Sequence, residues 1–234
     1  MAFDILKLFL PNRPMLTRIW RGPFRGARIV MNPRNSLRKI FGLYEHELND
    51  WLEQALRRVS RIVDVGANDG YFTFGSAAAF RRLGKSGEII ACEPQDSHVA
   101  MLRESVASQS QTGIRFGIVH ALVGKELKPG MITLDSLQPA VDDPNDKVRT
   151  LVKIDVEGAE VDVIEGGRSW LRRSNYFVIE VHRHELVGQL RDIFAEKGLK
   201  LVQLNQQPLR VIGGELRERE NLWLISDLGV ACQP

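Results

Sequence analysis

Residues 61–71 read Arg61-Ile-Val-Asp-Val-Gly-Ala-Asn-Asp-Gly-Tyr71. The apolar run Ile62, Val63, Val65 is short and β-branched and stops at Gly66, which predicts a buried strand entering a tight glycine turn. Phe72, Phe74, Ala77 to Ala79 and Phe80 follow as the apolar series of a helix. A strand, a glycine loop and a helix in that order bring backbone N–H groups close to a ligand. Nucleotide-type cofactors are held in this way at the carboxyl edge of a parallel sheet.

Charge narrows the choice of cofactor. A dinucleotide brings a pyrophosphate to the turn, where Asp64 at the strand end and Asp69 in the loop would repel it. The fingerprint G-x-G-x-x-G is absent, since Gly66 and Gly70 are spaced G-x-x-x-G. S-adenosylmethionine has no phosphate and carries an ammonium, a sulfonium and a ribose diol, all suited to carboxylate neighbours. The acidic turn therefore predicts S-adenosylmethionine.

Beyond the turn, strand and helix patterns alternate, the signature of a doubly wound α/β sheet. Strands are expected at residues 88–94, 113–123, 151–156 and 176–182. Helices are expected at 96–107, 159–165 and from the fifth strand to Lys197. Residues 199–204 and 221–226 resemble a closing antiparallel pair joined by a charged hairpin, and 139–146 form an acidic loop. Upstream, residues 2–10 suit a short amphipathic helix and 27–31 a strand. Leu48, Trp51, Leu52, Ala55 and Leu56 mark a helix over 45–59 that packs beside the first strand.

A chain of 234 residues can bury one full core, so one α/β domain with an N-terminal extension, residues 1–58, is expected. Cys92 and Cys232 are far apart and show no metal-ligand spacing, which predicts reduced thiols and a cytoplasmic setting; Asp155 and Glu157 suit Mg²⁺ but are too few ligands to predict it, so no metal is assigned. No run reaches the length of a membrane span. Residues 5–10 are broken by Lys7 and ended by Pro11, and Asp4 sits where a signal peptide would be positive. The net charge is +3, but Arg13 to Lys39 holds eight basic residues and no acidic ones, interleaved with Trp20 and Phe24. Such an arm either packs its arginine stems on the domain or meets an anionic acceptor, an acidic membrane surface or nucleic acid. No nucleic-acid-binding motif accompanies it, so no nucleic-acid partner is expected.

Ionisable groups fall at the carboxyl ends of the expected strands: Asp64 on the first, Glu93 on the second, Asp155 with Glu157 on the fourth, and Glu180 with His182 on the fifth. Carboxylates meeting at one sheet edge need a ligand, a metal or one another. Glu93, 27 residues beyond Gly66, suits the ribose hydroxyls. Glu157 serves either the acceptor or the following helix N-terminus, the latter worth about 0.3 to 1 kcal/mol. Lys153 shares strand parity with Asp155 and suits an ion pair with Asp64 or Asp155. His182 has the ordinary pKa of a general base, and Asp155 is the other candidate. His120 and Ala121 are candidates for an adenine pocket.

These residues also resemble a known family. Val63-Asp-Val-Gly-Ala-Asn-Asp-Gly70 with Tyr71-Phe-Thr, Glu93-Pro94, Thr133-Leu-Asp-Ser-Leu137, Lys153-Ile-Asp-Val-Glu-Gly-Ala-Glu160 and Ile179-Glu-Val-His182 are similar to the FkbM-type S-adenosylmethionine-dependent methyltransferases. The resemblance runs from about residue 44 to 226. It implies a Rossmann-like seven-stranded methyltransferase sheet, mostly parallel with the last strand antiparallel, over residues 59–234. It also implies that Asp64, Gly66, Ala67, Asn68 and Gly70 surround the methionyl part of the cofactor and Glu93 the ribose. The implied reaction is O-methylation of a hydroxyl on a sugar or natural product; the reading of the residues extends the acceptors to a glycan or lipid and takes Asp155, His182 and Glu157 as the catalytic set, with His182 or Asp155 as the base. The segment between Gly124 and Thr133 is short for the family. The rival readings are a nicotinamide-dependent oxidoreductase and a non-catalytic cofactor-binding or surface-binding protein.

Overall fold

The computed structural model describes residues 9–109, 113–137, 148–206 and 221–229. Most of the expected 2–10 helix, the acidic 139–146 loop, the charged hairpin before residue 221 and Cys232 lie outside the described residues. In chain order the strands are β1 (Met15–Arg18), β2 (Arg28–Met31), β3 (Arg61–Val65), β4 (Gly87–Cys92), β5 (Ile114–Val119), β6 (Leu122–Gly124), β7 (Met131–Thr133), β8 (Thr150–Ile154), β9 (Tyr176–Val181), β10 (Leu201–Asn205) and β11 (Leu222–Ser226).

Seven of them form one sheet in the order β10-β11-β9-β8-β3-β4-β5. From β9 to β5 every neighbour is parallel, while β11 runs antiparallel to both β9 and β10. This is the expected α/β, Rossmann-like methyltransferase sheet with its last strand reversed. The β-branched runs that predict β3, β8 and β9 are buried on both faces, as helix-covered parallel strands must be. Helices Asn49–Arg58, Tyr71–Arg82 and Asp96–Ala107 cover one face. Helices Glu160–Glu165 and Leu186–Ala195 cover the other.

Two elements depart from the sequence pattern. The single expected strand over 113–123 is two: β5 ends at Val119, and β6 leaves the main sheet to pair in parallel with β7. Ala121 and Val123 stay buried after the chain turns away, so the apolar pattern does not register the break. The helix expected from residue 45 begins at Asn49, because Glu45 has a left-handed backbone (φ 52°) and a 3₁₀ turn, His46–Leu48, follows it.

The basic arm is folded. Strands β1 and β2 form an antiparallel ribbon, and in the turn between them Phe24 is 1% exposed and meets Tyr71 and Phe72 edge-on at 5.1 and 5.5 Å. Helical Gly75 permits this, since a Cβ there would stand 2.3 Å from Phe24 Cγ. Val30 N–H donates to Ser105 Oγ at 2.9 Å. Trp51 donates to the Ser226 carbonyl, and Trp223 to Glu47 Oε1. Ile19, Phe24 and Leu52 therefore share one core with Ile62, Ile89 and Trp223, while Arg13, Arg18, Arg21 and Arg28 stay exposed. Among the described residues no helix is long and apolar enough to cross a membrane.

Candidate active site

The glycine turn is locked from inside. Gly66 has φ 76°, and a Cβ there would stand 1.9 Å from the Asp155 carbonyl oxygen, so β3 and β8 can converge only around a glycine. The N–H groups of Gly66 and Ala67 both donate to the Cys92 carbonyl, at 3.0 and 3.1 Å, and that of Gly70 donates to the Ala67 carbonyl. Asn68 N–H donates to Glu93 Oε2 at 2.8 Å. The expectation of bare backbone donors facing a ligand is corrected at these four positions: each N–H is already bonded within the protein.

The two acids of the turn also sit differently from expectation. Asp64 is fully buried, accepts a 2.6 Å hydrogen bond from Thr73 and lies 3.4 Å from Lys153 Nζ. Burial raises its pKa against the opposing charge of Lys153. Asp69 is paired to Lys39 at 2.6 Å. Neither lines the cleft, so the repulsion of a pyrophosphate expected from them does not arise at its wall. Ala67 and Gly70 are likewise outside its lining.

The cleft itself, about 800 Å³, opens at the carboxyl ends of β3, β4, β8 and β9. Gly66, Asn68, Glu93, Asp155, Glu157 and His182 line it, as does Glu180. Six of the nine expected site residues thus meet there. Glu93 is 5% exposed and fixed in plane, because Oε2 accepts from Asn68 and Oε1 from Gln95 N–H at 2.9 Å. Ala121 lines the cleft, whereas His120 turns to the Pro94 carbonyl and Asp96 at 3.1 and 3.2 Å.

Lys153 organises the floor. Its ammonium donates to the Gly66 carbonyl at 2.9 Å and lies 3.2 Å from Asp155 Oδ2, which joins both expected ion pairs in one group. Burial would lower its pKa, but Asp155, Asp64 and Glu45 outweigh that and raise it. Asp155 turns its other oxygen, Oδ1, toward His182 Nε2 at 3.5 Å. His182 Nδ1 lies 2.7 Å from Glu160 Oε1. Burial opposes the charged imidazole, yet Glu160, Glu180 and Asp155 prevail and raise the His182 pKa. Glu160 is fully buried; burial acts against its ionisation, but the His182 hydrogen bond and backbone donors hold its pKa low.

Glu160 is a site residue that sequence reasoning misses in this role. It lies on the first turn of a helix, and only the fold brings it behind His182. Glu45 and Tyr44 are also missed. Burial, Glu180 and Asp155 push the Glu45 carboxyl up to about 8, despite Lys153. Tyr44 lines the cleft, and the Glu45 charge and burial raise its pKa. Among the described residues, Glu45, Asn68 and Glu157 are the non-glycine residues with positive φ. All three lie at or beside the cleft, where backbone strain is concentrated at functional sites.

Residues 105–201 match the family model described as the methyltransferase FkbM domain. No curated protein matches the chain. Among solved structures, methyltransferase FkbM from Methylobacillus flagellatus KT superposes with a TM-score of 0.57 at 16% identity, covering 97% of this chain and 58% of that one. The chain thus spans little more than half the length of that relative. The N-terminal domain of human METTL16 superposes with a TM-score of 0.54 at 14% identity over 97% of this chain and 92% of that one. Trm5b from Pyrococcus abyssi gives 0.51 at 12% identity, over 92% of this chain and 56% of that one. At these identities the likeness is one of fold.

Proposed function

We propose that this chain, whose residues 105–201 match the methyltransferase FkbM domain, is an FkbM-type enzyme that uses S-adenosylmethionine to methylate a hydroxyl oxygen on a sugar, glycan, lipid or natural product. The observation that carries the reading is the cleft's donor set. Its wall at the glycine turn presents a fixed carboxylate, Glu93, and has its N–H groups at Gly66, Ala67 and Asn68 already bonded. That surface suits a diol and a cation and gives a pyrophosphate little to bind.

When bound, the cofactor supplies a methyl group made electrophilic by its sulfonium. The chain's residues do the rest. Glu93, its plane set by Asn68 and Gln95, receives the ribose hydroxyls with its remaining lone pairs. Gly66 and Asn68 line the methionyl side, with Asp64 acting from behind through Lys153. The acceptor hydroxyl docks beside Asp155 and His182, and its proton leaves toward that pair. Lys153 and Glu160 hold the two side chains in place from behind. Glu157 orients the acceptor at the rim.

Calorimetry tests the cofactor. Wild-type protein is expected to bind S-adenosylmethionine and not NADH, and Glu93→Ala to weaken it at least tenfold. Binding of NADH alone would overturn the reading. The acceptor is identified by supplying methyl-labelled cofactor to a cell extract and analysing the product by mass spectrometry. A labelled hydroxyl-bearing molecule is expected; a labelled nitrogen or carbon would refute O-methylation.

A further inference from the structure

We infer that the outer face of the β1–β2 ribbon docks on a membrane surface of acidic phospholipid. The inference goes beyond the methyl-transfer reading and stands independently of it. Pairing sets Arg18 opposite Arg28. Beyond them Ile19 N–H donates to the Ala27 carbonyl at 2.9 Å and Gly26 N–H to the Ile19 carbonyl at 2.8 Å, so the ladder runs on toward Trp20. Side chains alternate between the two faces of such a ribbon. Ile19, Ala27, Ile29 and Met31 lie on the inner face, in the core. Arg18, Trp20, Gly26 and Arg28 lie on the other and are exposed.

Three observations mark that outer face as a binding surface. The first is uncompensated charge. Arg18 and Arg28 are like charges directly opposed across the ribbon, an arrangement that is destabilising without an anion. Arg25 and Arg82 stand nearby and share one carboxylate, Glu53, at 2.9 and 3.5 Å, and no acidic residue occurs between Arg13 and Lys39. Burial and the charges of Arg25 and Arg57 lower the Arg82 pKa against Glu53, as crowded cations must. The second is a groove of about 520 Å³ lined by Arg18, Ile19, Trp20, Arg25, Gly26 and Arg82. The space over Gly26 is open, since a Cβ there would meet nothing within 4 Å. The third is Trp20, which is 64% exposed although Trp51, Trp170 and Trp223 are buried. Its N–H donates to the Ile40 carbonyl at 2.8 Å and its ring meets Phe41 edge-on at 5.6 Å, so it is held in place on the surface.

The chemistry of this face selects the partner. Guanidinium groups pair with phosphate oxygens in a bidentate manner, and a tryptophan beside them belongs at the headgroup level of a bilayer. Leu16, partly buried on the same face, adds to the apolar contact. Each arginine brought within a Debye length of an acidic leaflet gains further attraction. A single-stranded nucleic acid needs successive stacking platforms along a basic groove, and the outer face offers one ring. Three residues after Phe41, Tyr44 lines the active-site cleft, so the docked protein holds its cleft beside the bilayer.

The test uses the full chain and vesicles of phosphatidylcholine, with or without about one-third phosphatidylglycerol. Co-sedimentation is expected with the acidic vesicles and not with phosphatidylcholine alone, and it should weaken as salt rises. Brominated acyl chains should quench tryptophan fluorescence through Trp20. Arg18→Glu with Arg28→Glu should weaken vesicle binding at least tenfold. Trp20→Ala should weaken it at least threefold and abolish the quenching. Arg191→Glu with Lys197→Glu, an equal change of charge at exposed positions on and just after the helix Leu186–Ala195 of the opposite face, should leave binding within about twofold. Circular dichroism of each variant checks folding, and the quenching in wild-type protein stands even if a variant fails to fold. No binding to acidic vesicles, no quenching in wild-type protein, undiminished binding in the folded ribbon variants, or tighter binding of a single-stranded oligonucleotide would each overturn the inference.

Discussion

The ammonium of Lys153 donates to the carbonyl of Gly66 at 2.9 Å while standing between Asp64 and Asp155, so one side chain ties the glycine turn to two strands of the sheet. Removing that charge leaves Asp64 buried with Thr73 as its remaining hydrogen-bond donor. Lys153→Met is expected to cost about 3 to 5 kcal/mol in urea unfolding, and adding Asp64→Asn should recover a large part of it. If the double variant were no more stable than the single one, the two groups would not be coupled.

Glu45 sets a pH dependence of stability. Its carboxyl titrates at about 8 in the folded chain against an ordinary value of 4.5, so between those values the folded state holds a proton that the unfolded state has lost. Its contribution to stability is therefore present below about pH 4.5 and is lost as pH rises toward 8. Glu45→Gln is expected to be more stable than wild type at pH 9 by on the order of 3 kcal/mol, a gain that vanishes near about pH 4.5. Urea titrations in EDTA at both pH values measure this, and an equal difference at the two would contradict it.

The seat of the N-terminal ribbon rests on Gly75. A methyl group there collides with the Phe24 ring, so Gly75→Ala should destabilise the protein by about 1 to 3 kcal/mol. Combining it with Phe24→Leu should cost less than the sum of the two single changes. Strict additivity in thermal unfolding would show that the ring does not rest on this helix.

Burial, reinforced by Asp64, pushes the Cys92 thiol up to about 12. In a Cys232→Ser background, native protein at about pH 8 should resist iodoacetamide for hours and react promptly in urea, as intact-mass measurement will report. Rapid alkylation of the native form would mean that β4 opens readily.

The sheet was legible because its strands are short β-branched runs with carboxylates at their ends. Asp64, Glu93, Asp155, Glu180 and His182 mark where each strand stops, whatever the chain does afterwards. What those carboxylates face was not legible. Asp64 and Asp69 look alike in the turn, yet one is buried against Lys153 and the other pairs with Lys39, because strand parity and a distant arm decide it. Glu160 is hidden for a related reason. Its neighbours in sequence suggest only helix N-terminal charge, and its contact with His182 arises across the β8–β9 pairing. Left-handed Glu45 ends an otherwise continuous helical pattern, and nothing in its residue type announces that.

The placement of β11 between β10 and β9 has a consequence for synthesis on the ribosome. β10 emerges first but among the described residues has no other neighbour in the sheet, so it must wait for Leu222–Ser226 before it can dock. A chain interrupted after Asn205 would lose two strands at once and bare the flank of β9 that carries Glu180. The β11 segment thus acts as a completion signal: only a chain translated through Ser226 closes the wall of its own cleft.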